Sequence, residues 1–125
     1  MSTCAIINKS LMNTITSPIS LARLQTLAKA RFGNLVKAVV DVEKALMAID
    51  ADLHADEEAA LLTAGSKQND LWGINLYPEF FGSDDFVEFD SMINLRPSVN
   101  NLSRGVENPD IQKKIIAIVA TLITP

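Results

Sequence analysis

The sequence predicts a two-layer α+β sandwich, in which an antiparallel meander sheet of about four strands carries two helices on one face. Residues 35–42 support this fold because β-branched valines alternate there with other side chains, as is typical of strands. Residues 71–77 and 86–96 alternate in the same way around a Gly82-Ser83-Asp84-Asp85 connection, a pattern typical of an antiparallel hairpin. Two segments with apolar residues at helical spacing complete the pattern.

The length and composition indicate one folded unit. The chain has 125 residues, of which 48% are hydrophobic and 21% are charged. This length fits one domain, and this composition favours a packed core over disorder. We expect residues 17–125 to form a single α+β domain. Residues 1–16 are expected to be an N-terminal extension, in which residues 11–16 have the pattern of a short edge strand.

Helix-start and helix-stop signals bound the two predicted helices. The first is expected over residues 20–32, because Ser20 is a good cap and Gly33 ends the pattern. The last is expected over residues 109–123, after the start signal Asn108-Pro109-Asp110. Ile116 and Ile123 lie outside the main apolar stripe of this helix, which predicts that it is buried on more than one side.

The segment between residues 42 and 62 is ambiguous. The strand at 35–42 is expected to continue towards Ile49, with a turn at Asp50-Ala51-Asp52. Residues 53–62 are interpreted as a strand, because the meander then closes simply. The alternative is a helix, since Glu57-Glu58-Ala59-Ala60-Leu61-Leu62 contains good helix formers.

Charge and cysteine content exclude several classes of protein. The net charge is −4 and the isoelectric point is about 4.8, so we expect no binding to nucleic acid and none to anionic membranes. No apolar run reaches the ~20 residues of a membrane span. There is a single cysteine and no secretory signal pattern, which favours a cytoplasmic protein.

Polar side chains collect on one face of the predicted hairpin. If Tyr77 pairs with Phe86, then Asn75 lies opposite Glu88 and Gly73 lies opposite Asp90. This face then carries Asn75, Tyr77, Glu88, Asp90, Asn94 and Arg96. Such a set suits a small polar ligand or a divalent cation, and paired carboxylates also serve acid–base chemistry. The alternative is a solvated outer face or a dimer surface.

Two further clusters are candidate sites. His54 and Asp56 offer ligand types for a transition metal, and the alternative for this lone histidine is an ordinary surface position beside acids. The polar loop that follows the second hairpin strand contains Arg96 and Arg104, which together suit a carboxylate or a phosphate. The alternative for that loop is an ordered structure in which Arg104 pairs with local acids.

Three long motifs carry a resemblance to a known family. They are LHADEE at 53–58, DLWGINLYP at 70–78 and EFDSMINLRP at 88–97. With them the chain resembles an uncharacterised bacterial domain-of-unknown-function family, with members in cyanobacteria among others. The resemblance covers about residue 15 to the C-terminus. Family members tend to carry glycines where this chain has Asp50-Ala51, and the resemblance implies no activity.

These observations favour a non-enzymatic binding or regulatory module that forms a homo-oligomer. It would present the polar sheet face, or a cleft beside it, to a small-molecule or protein ligand. The alternative is a small hydrolase or lyase that uses Glu88, Asp90 and His54 with a divalent metal as cofactor. A third interpretation is a structural subunit whose polar face is covered by a partner chain.

Overall fold

The computed structural model describes residues 14–125 and has an α+β architecture. Residues 1–13, which include most of the predicted extension, lie outside the described residues. In chain order the elements are β1 (Thr14–Ile15), β2 (Ile19–Ser20), α1 (Leu21–Arg31), β3 (Val36–Asp41), β4 (Leu46–Ile49), α2 (His54–Thr63), β5 (Leu71–Leu76), β6 (Val87–Glu88), α3 (Pro109–Leu122) and β7 (Ile123–Thr124). None of the helices in this part of the chain is long and apolar enough to cross a membrane.

The two predicted helices are confirmed as α1 and α3, each with the expected cap. The hydroxyl of Ser20 accepts the N–H of Arg23 at 3.1 Å, which satisfies one free donor at the start of α1. The side chain of Asn108 accepts the N–H of Asp110 at 2.8 Å at the start of α3. Local sequence signals therefore fixed both helix starts.

The main sheet has five antiparallel strands in the order β1-β4-β3-β5-β6. The predicted meander of about four strands is wrong, because β3 lies in the centre with β4 on one side and β5 on the other. After β4 the chain passes through α2 and returns beside β3. A separate parallel pair joins β2 to β7, with Ile19 opposite Ile123.

The two predicted helices, α1 and α3, lie on one face of the sheet as expected, but α2 covers the other face, so the sheet does not have the predicted two layers. On one face, Ala38 and Val40 of β3 pack in the main core with Leu24 of α1 and Val119 of α3. On the other face, a smaller core contains Val39, Ala48, Leu71 and the α2 residue Leu61. Because neighbouring residues of a strand point to opposite faces, α2 lies across the sheet from α1 and α3.

The predicted strand at 53–62 is also wrong, because the helix alternative is the one that forms. His54, Glu57 and Leu61 are the buried residues of α2. Their spacing of three and four residues places them on one helical face, whereas a strand would split them between two. Gly65, at φ 108°, then reverses the chain after the helix.

The strand that was expected to continue from 42 towards Ile49 is broken by a tight turn. The buried carboxylate of Asp41 accepts the N–H groups of Glu43 and Lys44, both at 2.9 Å. Ser66 donates its hydroxyl to the other oxygen of Asp41 at 2.6 Å. The chain therefore turns between β3 and β4, and Ala45 takes a positive φ of 56°.

Candidate functional site

The predicted pairing of the hairpin is confirmed next to the connection between its two strands. Tyr77 N–H donates to the Phe86 carbonyl at 2.9 Å, and Asn75 lies opposite Glu88. Glu88 Oε1 accepts from the Asn75 amide at 2.8 Å and from the Tyr77 hydroxyl at 2.9 Å. These three side chains form one hydrogen-bonded group, in which Glu88 is exposed and Asn75 is buried.

Beyond Glu88 the predicted strand at 86–96 stops, and Asp90 does not pair with Gly73. Asn94, which is fully buried, takes the place of a strand there. Its Oδ1 accepts the Gly73 N–H at 2.8 Å, and its Nδ2 donates to the Gly73 carbonyl at 3.0 Å. Ser91 packs over Gly73 so closely that a Cβ on the glycine would lie 2.5 Å from Ser91 Cβ. Ser91 therefore fills the space next to Gly73.

Two more buried side chains hold the loop that follows. Asn101 Nδ2 donates to the carbonyl oxygens of Asn94 and Gly105, both at 2.8 Å. Arg96 donates to the carbonyls of Ile93 and Leu71, and its guanidinium lies 4.5 Å from the centroid of the Trp72 ring. Burial lowers the pKa of Arg96 from its ordinary value. Asn94 and Arg96, both predicted as ligand-binding residues, thus bind the protein's own backbone.

Arg104 and Asp90 lie at the surface and contact each other. Arg104 Nε donates to Asp90 Oδ1 at 2.6 Å, and both side chains are about half exposed. This is the local pairing that was the alternative to an anion site. Ion pairs at this exposure contribute little to stability, so the pair mainly orients the loop.

His54 and Asp56 do not form a common site. His54 is buried and its Nε2 donates to the Ile74 carbonyl at 2.8 Å, with Nε2 protonated because the partner is an acceptor. Burial lowers the pKa of His54, against a smaller opposing effect of that hydrogen bond. Asp56 is exposed, two residues further along α2 and therefore on another side of the helix. Within residues 14–125, no group of three or more His, Cys, Asp or Glu side chains is placed to hold a metal ion.

The titration of Tyr77 tests the group around Glu88. Tyr77 is the only tyrosine, so the ultraviolet absorbance of tyrosinate reports on it alone. Burial raises the pKa of Tyr77 above 10.0, and the hydrogen bond to Glu88 and its charge raise the pKa further. We expect Glu88→Gln to lower the titration midpoint, whereas Glu79→Gln leaves it in place. Equal midpoints in wild type and Glu88→Gln would show that the Tyr77–Glu88 contact is absent in solution.

An apolar pocket of about 530 Å³ lies on the other side of the edge strand β6, between α3 and the β5–β6 connection. Phe81, Phe86 and Phe89 form one wall. Ile116, Ala120 and Ile123 form the opposite wall. Asp84 is the only charged side chain that lines the pocket among the described residues.

A smaller groove of about 310 Å³ lies on the polar side of the same connection. It is lined by Tyr77, Phe80, Asp85 and Glu88, and it shares Asp84 and Val87 with the apolar pocket. The Tyr77 and Phe80 rings are 6.2 Å apart between centroids. The edge strand thus separates a polar groove from an apolar pocket.

Sequence reasoning did not identify the apolar pocket as a site. The signals were present, because Ile116 and Ile123 lie outside the main apolar stripe of the helix predicted over residues 109–123, and the chain has aromatic residues on both sides of the hairpin connection. Periodicity alone did not place these two segments against each other. It also missed Ser91 and Asn101, whose side chains resemble ordinary loop residues until their burial is known.

Comparisons with known proteins support the resemblance to an uncharacterised family. No curated protein and no solved structure matches the chain. A family model described as "Protein of unknown function (DUF5674)" matches residues 13–122, which is most of the chain. The protein therefore belongs to the DUF5674 family, a family of unknown function.

Proposed function

We propose that this protein is a non-enzymatic binding module whose ligand occupies the apolar pocket between α3 and the β5–β6 connection. The observation that carries the proposal is the pocket itself. Its volume of about 530 Å³ lies within the roughly 300–1,000 Å³ of small-molecule sites, and its walls are mainly apolar. The sequence had instead suggested the polar sheet face, or an unspecified cleft beside it.

The contacts of the polar face support this choice of site. Asn94 and Arg96 donate to the buried carbonyl groups of Gly73 and Leu71, and Asp90 pairs with Arg104. Only the group around Glu88 remains exposed at the groove. These residues hold the β5–β6 region and its loop in place, and in this proposal they form the frame of the pocket.

The alternative, a metal-assisted hydrolase or lyase, gains no support from the same contacts. His54 donates to a main-chain carbonyl, Asp90 pairs with Arg104, and Glu88 accepts from Asn75 and Tyr77. No hydrogen bond among the described residues joins His54 to either carboxylate. An acid–base pair needs such a bond, or one through a single water.

A homo-oligomer is a second part of the proposal. Met92 and Leu102 are exposed by 63% and 66%, and Leu95 and Val99 in the same loop are also exposed. Because the buried Asn94 and Asn101 fix this loop, its apolar side chains are held in one arrangement, as at a protein interface. We also propose a cytoplasmic location, which the single cysteine supports.

Filling the pocket tests the proposed function. Ala120 lines the pocket, whereas Ala117 lies on the same helix and is exposed without lining it. We expect an uncharged apolar probe, N-phenylnaphthylamine, to bind wild type and Ala117→Phe with saturable fluorescence. In Ala120→Phe the affinity should fall at least tenfold, because the added ring occupies the volume of the probe.

Two results would overturn the proposal. One is equal binding of the probe by Ala120→Phe and Ala117→Phe, which would place the probe elsewhere. The other is a concentration-dependent mass of wild type in sedimentation velocity that Ala120→Phe abolishes. That result would mean that a second copy, and not a small ligand, covers the pocket.

A further inference from the structure

We infer that the ligand of the apolar pocket is an amphipathic organic cation: an aromatic or aliphatic body that carries a protonated amine. This inference rests on the proposed function, because it specifies the ligand class of the same pocket. The juxtaposition that carries it is an apolar cavity whose polar rim offers acceptors and one unpaired carboxylate.

The apolar walls of the pocket favour a ligand with an aromatic or aliphatic body. Phe81 and the buried Phe86 both line the cavity and meet edge to face at 5.1 Å between centroids, so this wall is aromatic. Ile116 is 45% exposed although it lines the cavity. A ligand that covers these surfaces removes apolar area from water, which is the main driving force for binding in a site of this kind.

The polar rim of the pocket favours a positively charged ligand. Asp84 is exposed, and the ion pairs among residues 14–125 are those of Arg31 with Asp50 and Asp52 and of Arg104 with Asp90. Asp84 therefore has no cationic partner in the described part of the chain. It lies in the same connection as Phe81, and aromatic faces also attract cations.

The other polar side chains of the rim also offer hydrogen-bond acceptors. Gln112 donates one Nε2 hydrogen to the Val106 carbonyl, so its Oε1 and its second Nε2 hydrogen are left for a ligand. The Ser83 hydroxyl already donates to the Phe80 carbonyl. A ligand with N–H donors satisfies such a rim, whereas a carboxylate or phosphate ligand would find one side-chain donor, the second N–H of Gln112, beside the carboxylate of Asp84.

The adjoining groove adds to the negative potential. It contains Asp85 and Glu88 beside the shared Asp84. No lysine or arginine is among the described residues that line either cavity. Carboxylates of one sign around a cleft raise the local concentration of cations and lower that of anions.

Three probes of nearly equal shape test the inference: naphthylmethylamine, naphthylmethanol and naphthylacetate, which are cationic, neutral and anionic near neutral pH. We expect the amine to bind wild type about fivefold more tightly than the alcohol, and the acetate more weakly than either. Asp84→Asn should lower the affinity for the amine to that for the alcohol, and it should leave the affinity for the alcohol unchanged. Asp85→Asn, the matched control outside the pocket lining, should retain most of the preference.

Titrations followed by NMR chemical shifts separate the proposed binding site from the inference about the charge of its ligand. If the alcohol binds and Ala120→Phe weakens it, the pocket is the site. Within that result, an acetate affinity equal to that of the amine, or an amine preference that survives Asp84→Asn, overturns the inference about charge. If the alcohol binds wild type and Ala120→Phe equally, the proposed function fails as well. High salt should reduce the amine preference alone, because it screens exposed charges.

Discussion

Glu57→Gln should stabilise the protein at alkaline pH, by an amount that grows as the pH rises. Glu57 lies in the core on α2 and is 2% exposed. Burial raises its pKa to about 10, while the N–H of Ala51, which donates to Oε2 at 3.1 Å, opposes the shift. The carboxyl is therefore protonated in the folded protein at neutral pH and ionised in the unfolded chain.

The direction of the pH dependence follows from proton binding. Between pH 4.5 and about 10, the folded state holds one more proton at Glu57 than the unfolded state does. This contribution to stability is fully present below pH 4.5 and is lost as the pH rises through that window. Between pH 4.5 and pH 7 the loss is about 3 kcal/mol. Glutamine does not titrate, so the Glu57→Gln variant does not undergo this pH-dependent loss of stability.

Urea unfolding of wild type and Glu57→Gln across this pH range measures the effect. The quantity of interest is the difference in unfolding free energy between the two proteins, since other carboxyl groups change in both. Asp56→Asn, an exposed change on the same helix, controls for general loss of charge and should give a difference near zero. A Glu57→Gln difference that does not change with pH would mean that Glu57 is ionised in the fold.

Asn94→Ala should lower the unfolding free energy by about 3 kcal/mol or more. The side chain makes two bonds to Gly73 and a third to the Arg104 carbonyl at 2.9 Å. Alanine leaves the buried donor and acceptor of Gly73 without partners, and each such group costs roughly 1–3 kcal/mol. Domains of this size have roughly 5–15 kcal/mol of stability in total, so the loss is a large fraction.

Chemical denaturation and amide hydrogen exchange both report on this change. The Gly73 amide should lose protection in Asn94→Ala more than the amides of β3, which keep their strand partners. Asn69→Ala, at an exposed position in a short turn, should change stability by less than about 0.5 kcal/mol. A stable Asn94→Ala with a protected Gly73 would show that water or another group replaces the asparagine.

The parts of the fold that sequence predicted are those with strong local signals. Ser20 and Asn108 fixed the starts of α1 and α3, and the alternation of residues 36–41 and 71–76 identified β3 and β5. The errors arose where tertiary contacts overrule a local pattern. The segment 89–96 alternates as a strand does, yet Asn94 occupies the position of the partner strand beside Gly73.

On the polar sheet face, only the contact between Asn75 and Glu88 could be predicted from the sequence. Asn75 and Glu88 follow from strand register, which is local to a hairpin. The roles of Arg96 and Asn94 were not predictable, because alternation tells which side chains share a face and not whether a helix covers that face. The pocket needed the contact of α3 with the β5–β6 connection, and no short-range rule supplies such a contact.

The pairing of β2 with β7 has a consequence for the order of folding. Thr124 donates its hydroxyl to the Ile19 carbonyl across 105 residues of chain. Closing a loop of this length before the intervening chain is ordered costs about 4 kcal/mol of entropy. We therefore expect this contact to form late in folding, after the intervening elements have brought the two strands together. Because Ile123 of β7 lines the pocket, we expect the pocket to be complete only after this late contact has formed.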